Sequence, residues 1–172
     1  ELIEPINEES VQTASQDVEV NGLDLAVDAA ITEHAQLNAA SEYAEARSYL
    51  RMDIDGNGST DALVMYTLEP TNGGNYSNQY LAPFILNGDA WEAKKRLDVM
   101  NSASSLADEG NGVLSYIELS HGPEDARCCP SIERKLLYKW NGSALEEYRN
   151  YGLVPAQSPS RPLAEPPFYS VL

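Results

Sequence analysis

The spacing of apolar residues changes once along the chain, near residue 43. Before that point, five apolar residues and one histidine recur at steps of three and four, which places them on one face of a helix. They are Leu23, Val27, Ala30, Ile31, His34 and Leu37. Asn21 is suited to cap such a helix, and Asp24 stands in its first turn, where a carboxylate complements the helix dipole. The pattern therefore predicts a helix over residues 23–39, with His34 as a hydrogen-bonded residue at the edge of its apolar face rather than a metal ligand.

From residue 43 onward, a period of two predicts β-strands. Seven segments have strand character: 44–54, 62–68, 80–86, 91–99, 113–119, 132–140 and 144–149. The second segment is apolar on both faces, which predicts a central strand. Pro83 predicts that the third is an edge strand or contains a bulge, because proline cannot donate to a sheet. Asn-Gly pairs at 87–88 and 141–142 predict hairpin turns.

These elements predict an α+β fold in which one N-terminal helix packs on an antiparallel meander sheet of about seven strands. We divide the chain into a flexible acidic leader over residues 1–20, a single α+β domain over 21–150 and a Pro-rich C-terminal tail over 151–172. The tail holds five of the ten prolines and is expected to be extended. A chain of 172 residues is long enough to bury a core as one domain without a disulfide framework.

Charge excludes several classes of partner. The chain has 27 acidic and 11 basic residues, a formal net charge of −16, and its first 46 residues contain 11 acids and no Lys or Arg. Nucleic acids and anionic membranes are bound through Lys and Arg, so neither is expected as a partner. The sequence has no apolar run of the ~20 residues that a transmembrane helix needs.

The first residues indicate where the protein is located. The chain starts at Glu1 rather than Met and continues into a polar segment, as is typical after a cleaved export signal. A trimmed, frayed terminus is the alternative explanation. We expect an exported, monomeric protein in the periplasm or outside the cell. A lipid anchor attached upstream of Glu1 is compatible with this expectation.

Residues 53–61 form the clearest chemical motif, D-x-D-x-N-G-x-x-D. Calcium takes six to eight oxygen ligands, and oxygens at positions 1, 3 and 5 of a tight loop converge on one point. The predicted ligands are the side chains of Asp53, Asp55 and Asn57, the backbone carbonyl of Ser59, and Asp61 directly or through water. Position 12, where a helix-loop-helix calcium site has Glu, is Val64, and both flanks have strand character. The motif therefore predicts a calcium ion in a loop between two strands; a solubilising acidic turn is the alternative.

This loop resembles the Asp-rich calcium loops of FG-GAP and VCBS-type exported and cell-surface proteins. The resemblance covers residues 52–66, and Asp53, Asp55, Asn57 and Asp61 fall on the ligand positions of that motif. Those families contain the motif in repeats, whereas this chain has one copy, so the resemblance does not imply a propeller. The combination of one such loop with a Cys-Cys-Pro-Ser segment is similar to that of uncharacterised exported bacterial proteins and lipoproteins, which implies no particular reaction.

Cys128 and Cys129 are adjacent and are the only two cysteines. Neighbouring Cα atoms lie about 3.8 Å apart, below the usual disulfide separation of about 4.4–6.8 Å, so a bond between the two would close a strained ring. A vicinal disulfide and two buried reduced thiols are both compatible with the sequence. Intermolecular pairing and metal capture are further alternatives.

The motifs favour a non-enzymatic exported domain, stabilised by calcium, that binds a protein or envelope component. The Tyr-rich segment 73–80 is the expected binding surface, because tyrosine and asparagine suit adaptable polar recognition. The alternative function is a hydrolase whose site lies near His121, Cys128 and Cys129.

Overall fold

The computed structural model describes residues 8–74, 76–99, 101–126 and 129–148. The fold is α+β, as predicted, with mostly antiparallel strands. The elements are helix α1 (Glu8–Leu37), a short 3₁₀ helix (Ala44–Ala46) and the strands β1 (Ala40–Glu42), β2 (Ser48–Met52), β3 (Asp61–Pro70), β4 (Asn78–Asn87), β5 (Ala90–Ala93), β6 (Leu97–Val99), β7 (Ser102–Gly110), β8 (Val113–Ser120), β9 (Ile132–Trp140) and β10 (Leu145–Glu147). Across the described residues, no helix combines the length and hydrophobicity needed to cross a bilayer.

The strands form two sheets, which corrects the prediction of one meander sheet with about seven strands. Sheet 1 contains β1 to β6 and sheet 2 contains β7 to β10. Sheet 2 alone is a meander, with its four strands in chain order. The sequence pattern could not reveal the division, because alternation identifies strands without showing which strands share a sheet.

Both edges of sheet 1 are interrupted. β3 and β4 pair in the centre of the sheet. On one side, β1 and β2 pair with successive parts of β3, separated by the 3₁₀ helix. On the other side, β5 and β6 pair with successive parts of β4, separated by residues 94–96. The predicted strand 91–99 is therefore broken in two, and the predicted strand 44–54 is shortened to β2, because its first residues form the 3₁₀ helix.

Pro83 lies in a central strand, so its predicted edge position is wrong. The amide of Lys94 donates to the Pro83 carbonyl at 2.8 Å, but proline has no N–H with which to complete the pair. Leu81 pairs with Leu97 and Phe84 with Ala93, so residues 94–96 stand opposite only two residues of β4. The extra residue is the kind of irregularity found in a β-bulge, and it lies in the partner strand rather than in β4.

The start of α1 and the presence of β7 also differ from the prediction. α1 begins at Glu8 instead of residue 23, because the polar residues of its first half gave no apolar period to detect. β7 was not predicted at all, since its sequence SASSLADEG has no regular alternation. The predicted strands 62–68, 80–86, 113–119 and 132–140 correspond to β3, β4, β8 and β9.

The core consists of two apolar clusters on opposite faces of sheet 1. α1 covers one face, and the cluster there contains Leu23, Val27, Ile31, Ala35, Ala62, Val64, Tyr66, Leu68, Tyr80, Ala82 and Phe84. Sheet 2 covers the other, where the cluster contains Met52, Ile54, Leu63, Met65, Leu81, Ile85, Val99, Ala103, Leu114, Tyr116 and Leu145. β3 and β4 supply both clusters, which explains why β3 is apolar on both faces, as predicted.

Candidate metal centre

The loop of residues 53–60 connects β2 to β3 and is held at the end of both sheets. Ile54 is 4 % exposed and belongs to the cluster between the two sheets, so the loop has an apolar anchor next to its first carboxylate. Gly56 and Gly58 have φ angles of 80° and 88°, a region in which residues with a Cβ are strained. The two glycines thus permit the tight course of the loop.

Three carboxylates meet in this loop. One oxygen each of Asp53, Asp55 and Asp61 lies within 4.8 Å of the others, a grouping that could hold a metal ion. Asp61 is fully buried, whereas Asp55 is exposed, so the cluster is open to solvent on one side. Carboxylates at this separation repel one another, and a bound cation would relieve the repulsion.

Backbone amides organise the loop around Asp53. Its Oδ1 atom accepts hydrogen bonds from the amides of Gly56 at 2.8 Å and Asn57 at 3.1 Å, and its Oδ2 atom accepts one from Gly58 at 3.0 Å. The Asn57 amide also donates to Oδ1 of Asp55 at 3.1 Å. Charge-assisted bonds of this kind fix the loop in a turn that directs several oxygens inward.

Asp61 joins the loop to the neighbouring strand. Its Oδ2 atom accepts a hydrogen bond from the Ile54 amide at 2.8 Å, and its Oδ1 atom accepts one from the Leu86 amide in β4 at 2.9 Å. Burial raises the pKa of Asp61, the bonds from Leu86 and Ile54 lower it, and the negative charge of Asp55 raises it; the net direction is upward. The sequence predicted Asp61 as a ligand but gave no sign of its contact with β4.

Asn57 and Ser59 contact each other within the loop. The Asn57 side-chain oxygen accepts a hydrogen bond from the Ser59 amide at 2.6 Å, and its Nδ2 atom donates to the Leu86 carbonyl at 3.4 Å. Their roles as metal ligands stay predictions. Together with Asp61, Asn57 ties the loop to the end of β4 from two sides.

Comparisons with known proteins give no information about this site. No protein-family model matches the chain, and neither a curated protein nor a solved structure matches it significantly.

The region around His121 contains a well-defined turn. Asp125 accepts hydrogen bonds from the amides of Gly122 and Ser131, both at 2.7 Å, and from the Ser131 hydroxyl at 2.8 Å. The bonds from Gly122 and Ser131 lower the pKa of Asp125, with a smaller contribution from His121. Cys128 lies outside the described residues, so the vicinal pairing and the hydrolase grouping both stay predictions.

The Tyr-rich segment 73–80 divides into an exposed and a buried part. Tyr76 is 60 % exposed, whereas Tyr80 is in β4 and is 9 % exposed. Tyr80 is therefore part of the core and does not belong to the expected binding surface. Asn75 lies outside the described residues.

A buried polar cluster under α1 is the main feature that sequence reasoning missed. His34 is 3 % exposed, its Nδ1 atom lies 2.7 Å from the Tyr66 hydroxyl, and its ring packs edge-on against Tyr80 at 4.5 Å. Burial lowers the pKa of His34, the cation of Arg96 lowers it further, and Asp98 raises it. Helical spacing placed His34 on the apolar face but could not identify its partners in β3 and β4.

Proposed function

We propose that this chain is a non-enzymatic, exported domain that is stabilised by calcium and binds a protein or envelope component. The observation that supports the proposal most is the convergence of Asp53, Asp55 and Asp61 in a loop between two strands. Calcium fits better than magnesium, because the protein itself offers several oxygens and magnesium usually keeps most of its waters.

The contacts of Asp61 indicate how an ion would stabilise the fold. A cation held by Asp53, Asp55 and Asp61 would join the loop to the buried carboxylate that binds the Leu86 amide in β4. An ion that binds the folded chain alone stabilises it by about 2.7 kcal/mol at a free concentration of about 100 times its Kd. We therefore assign the ion a structural role.

Thermal unfolding in calcium and in a chelator tests this proposal. We expect calcium to raise the Tm of the wild-type chain, magnesium at the same concentration to raise it less, and Asp55→Ala to abolish the calcium effect. Asp55 is the best site for the change because it is exposed, so its removal perturbs the core least.

Asp89→Ala is the matched control. Asp89 is also an exposed acid in a turn, but it lies in the β4–β5 hairpin and is not part of the cluster. This variant should keep the full calcium-dependent rise in Tm. An unchanged wild-type Tm in millimolar calcium, or an equal loss of the effect in both variants, would refute the calcium proposal.

The binding part of the proposal depends on the exposed residues of the loop between β3 and β4. Tyr76 is among the most exposed large side chains of the described residues, and an aromatic ring with a hydroxyl can both pack against a partner and donate a hydrogen bond to it. The exposed tyrosine suits a partner with a polar protein surface. An anionic polymer is a poorer partner, because the net charge of −16 would repel it.

A further inference from the structure

The chain contains six Asn-Gly dipeptides, beginning at residues 21, 57, 72, 87, 111 and 141. In such a pair the backbone nitrogen of glycine can attack the side-chain carbonyl carbon of asparagine. A C–N bond forms, ammonia leaves, and the resulting succinimide is opened by water to aspartate or isoaspartate. Glycine favours this reaction because it has no side chain to hinder the approach and adopts unusual backbone angles readily. The surroundings of each pair then determine which one reacts.

The metal loop restrains the pair Asn57–Gly58 at both reacting groups. The attacking nitrogen, that of Gly58, donates its hydrogen to Asp53 at 3.0 Å, and a carboxylate next to an amide opposes loss of its proton. The leaving group, Nδ2 of Asn57, donates to Asp55 at 3.3 Å and to the Leu86 carbonyl at 3.4 Å.

Hairpins and the helix restrain four further pairs. Asn141 is held by bonds from the amides of Ser143 and Ala144 to its Oδ1 atom, both at 2.9 Å, and by its own bond to Glu146 at 2.6 Å. Asn111 lies in a tight turn between the paired residues Gly110 and Val113. Asn87 is paired with Ala90 in the ladder of β4 and β5, and the pair at 21–22 lies within the backbone of α1.

Within the described residues, the pair Asn72–Gly73 has fewer restraints than Asn57–Gly58 or Asn141–Gly142. Both residues are exposed in the loop between β3 and β4, outside the paired strands and the helix. The Oδ1 atom of Asn72 accepts a hydrogen bond from the Gly74 amide at 3.3 Å. In the part of the chain that the structure describes, Nδ2 of Asn72 has no partner of the kind that holds Nδ2 of Asn57 and Asn141.

We propose that Asn72 is a site of spontaneous modification, at which the Gly73 nitrogen closes a succinimide that water opens to aspartate or isoaspartate. The product adds one negative charge to the chain, changing the formal net charge from −16 to −16 − 1 = −17. Isoaspartate also inserts a methylene group into the backbone of the loop that presents Tyr76. This modification is independent of the calcium proposal.

Peptide mapping by mass spectrometry tests the proposal. The full chain is incubated in mildly alkaline buffer, digested at intervals, and the Asn72, Asn57 and Asn141 peptides are followed; an isoaspartyl methyltransferase identifies isoaspartate. We expect Asn72 to convert at least an order of magnitude faster than the other two. In urea-unfolded chain, the three sites should convert at similar rates, because the folded-state restraints are gone.

Two variants define the chemistry. Asn72→Gln keeps an amide but would need a larger, slower-closing ring, so it should abolish conversion at this position without increasing conversion elsewhere. Asp53→Ala removes the acceptor of the Gly58 amide and should accelerate conversion of Asn57. The proposal is overturned if Asn57 or Asn141 converts as fast as Asn72 in the folded chain, or if Asn72 stays intact while the unfolded chain reacts.

Discussion

Asp61 serves the structure in a way that its position in the motif did not reveal. The spacing to Asp53 and Asp55 predicted a metal ligand, and the structure brings the three carboxylates together. The same carboxylate is fully buried and accepts the amides of Ile54 and Leu86. Local spacing is visible in a sequence, whereas a contact 25 residues away depends on the pairing of β3 with β4. The ligand cluster was therefore predictable and its attachment was not.

Replacement of Asp61 separates its structural role from metal binding. Asp61→Ala leaves two buried amides without an acceptor, so we expect it to lower the free energy of unfolding by about 2–4 kcal/mol even in a chelator. Asp55→Ala in the same chelator should change it by less than about 0.5 kcal/mol, since Asp55 is exposed. Urea unfolding measures both. If Asp61→Ala caused no loss in the chelator, Asp61 would act only through the metal.

His34 illustrates a second limit of sequence reasoning at the residue scale. Its place on the helical stripe predicted a hydrogen-bonded residue rather than a ligand, and it is hydrogen-bonded to Tyr66. Its almost complete burial was not predicted, because it depends on Tyr66 and Tyr80 covering the ring from sheet 1.

The lowered pKa of His34 makes stability depend on pH. The unfolded chain takes up a proton as the pH falls below the ordinary histidine pKa of 6.5, whereas the folded chain resists protonation until a lower pH. The contribution of His34 to stability is therefore constant above about pH 6.5 and declines as the pH falls from there towards the folded-state pKa. His34→Gln should remove this part of the decline. Parallel unfolding curves between pH 5 and 7, with no difference between the two chains, would contradict the expectation.

At the scale of elements, the sequence was informative where apolar residues alternate or cover both faces. β3 and β4 were found for that reason, and the central position of β3 was correct. The same reasoning missed β7 and the first half of α1, which contain too few apolar residues to show a period. It also joined β5 and β6 into one strand, because the bulge opposite Pro83 leaves no mark on their alternation.

The interruption at residues 94–96 suggests protection of the edge of sheet 1. Edge strands expose unpaired backbone groups, and charged residues and bulges prevent a second chain from pairing there. Lys95 and Arg96 are exposed at this break. Lys95→Val with Arg96→Val should therefore cause concentration-dependent association, measured by light scattering after size-exclusion chromatography.

The control for this prediction changes the same amount of charge elsewhere. Lys135 and Lys139 lie on β9 of sheet 2, away from the interrupted edge of sheet 1; both are paired with β8, and Lys139 is also paired with β10. Lys135→Val with Lys139→Val should leave the chain monomeric. Association of both double variants to the same extent would point to lost charge rather than an uncovered edge.

For the whole molecule, the important relation is that one sheet supports two cores. β3 and β4 direct alternate side chains to α1 on one face and to sheet 2 on the other. If α1 or sheet 2 came away, apolar residues of β3 and β4 would be exposed to water, and the layer that remained would pack against destabilised strands. The arrangement therefore predicts that helix, sheet 1 and sheet 2 unfold together.

The two tryptophans report on the two cores separately. Trp91 packs against the cluster under α1, and Trp140 packs against the cluster between the sheets. In single-tryptophan chains made by Trp91→Phe and Trp140→Phe, fluorescence should give coincident urea midpoints. Phe84→Ala removes a buried ring under α1 and should lower the free energy of unfolding by about 3–5 kcal/mol. Because the fold loses its stability as one unit, the urea midpoint reported by each tryptophan should fall by the same amount. If Phe84→Ala shifted the Trp91 transition and left that of Trp140 in place, α1 and sheet 2 would be independent layers on a sheet that survives without the helix.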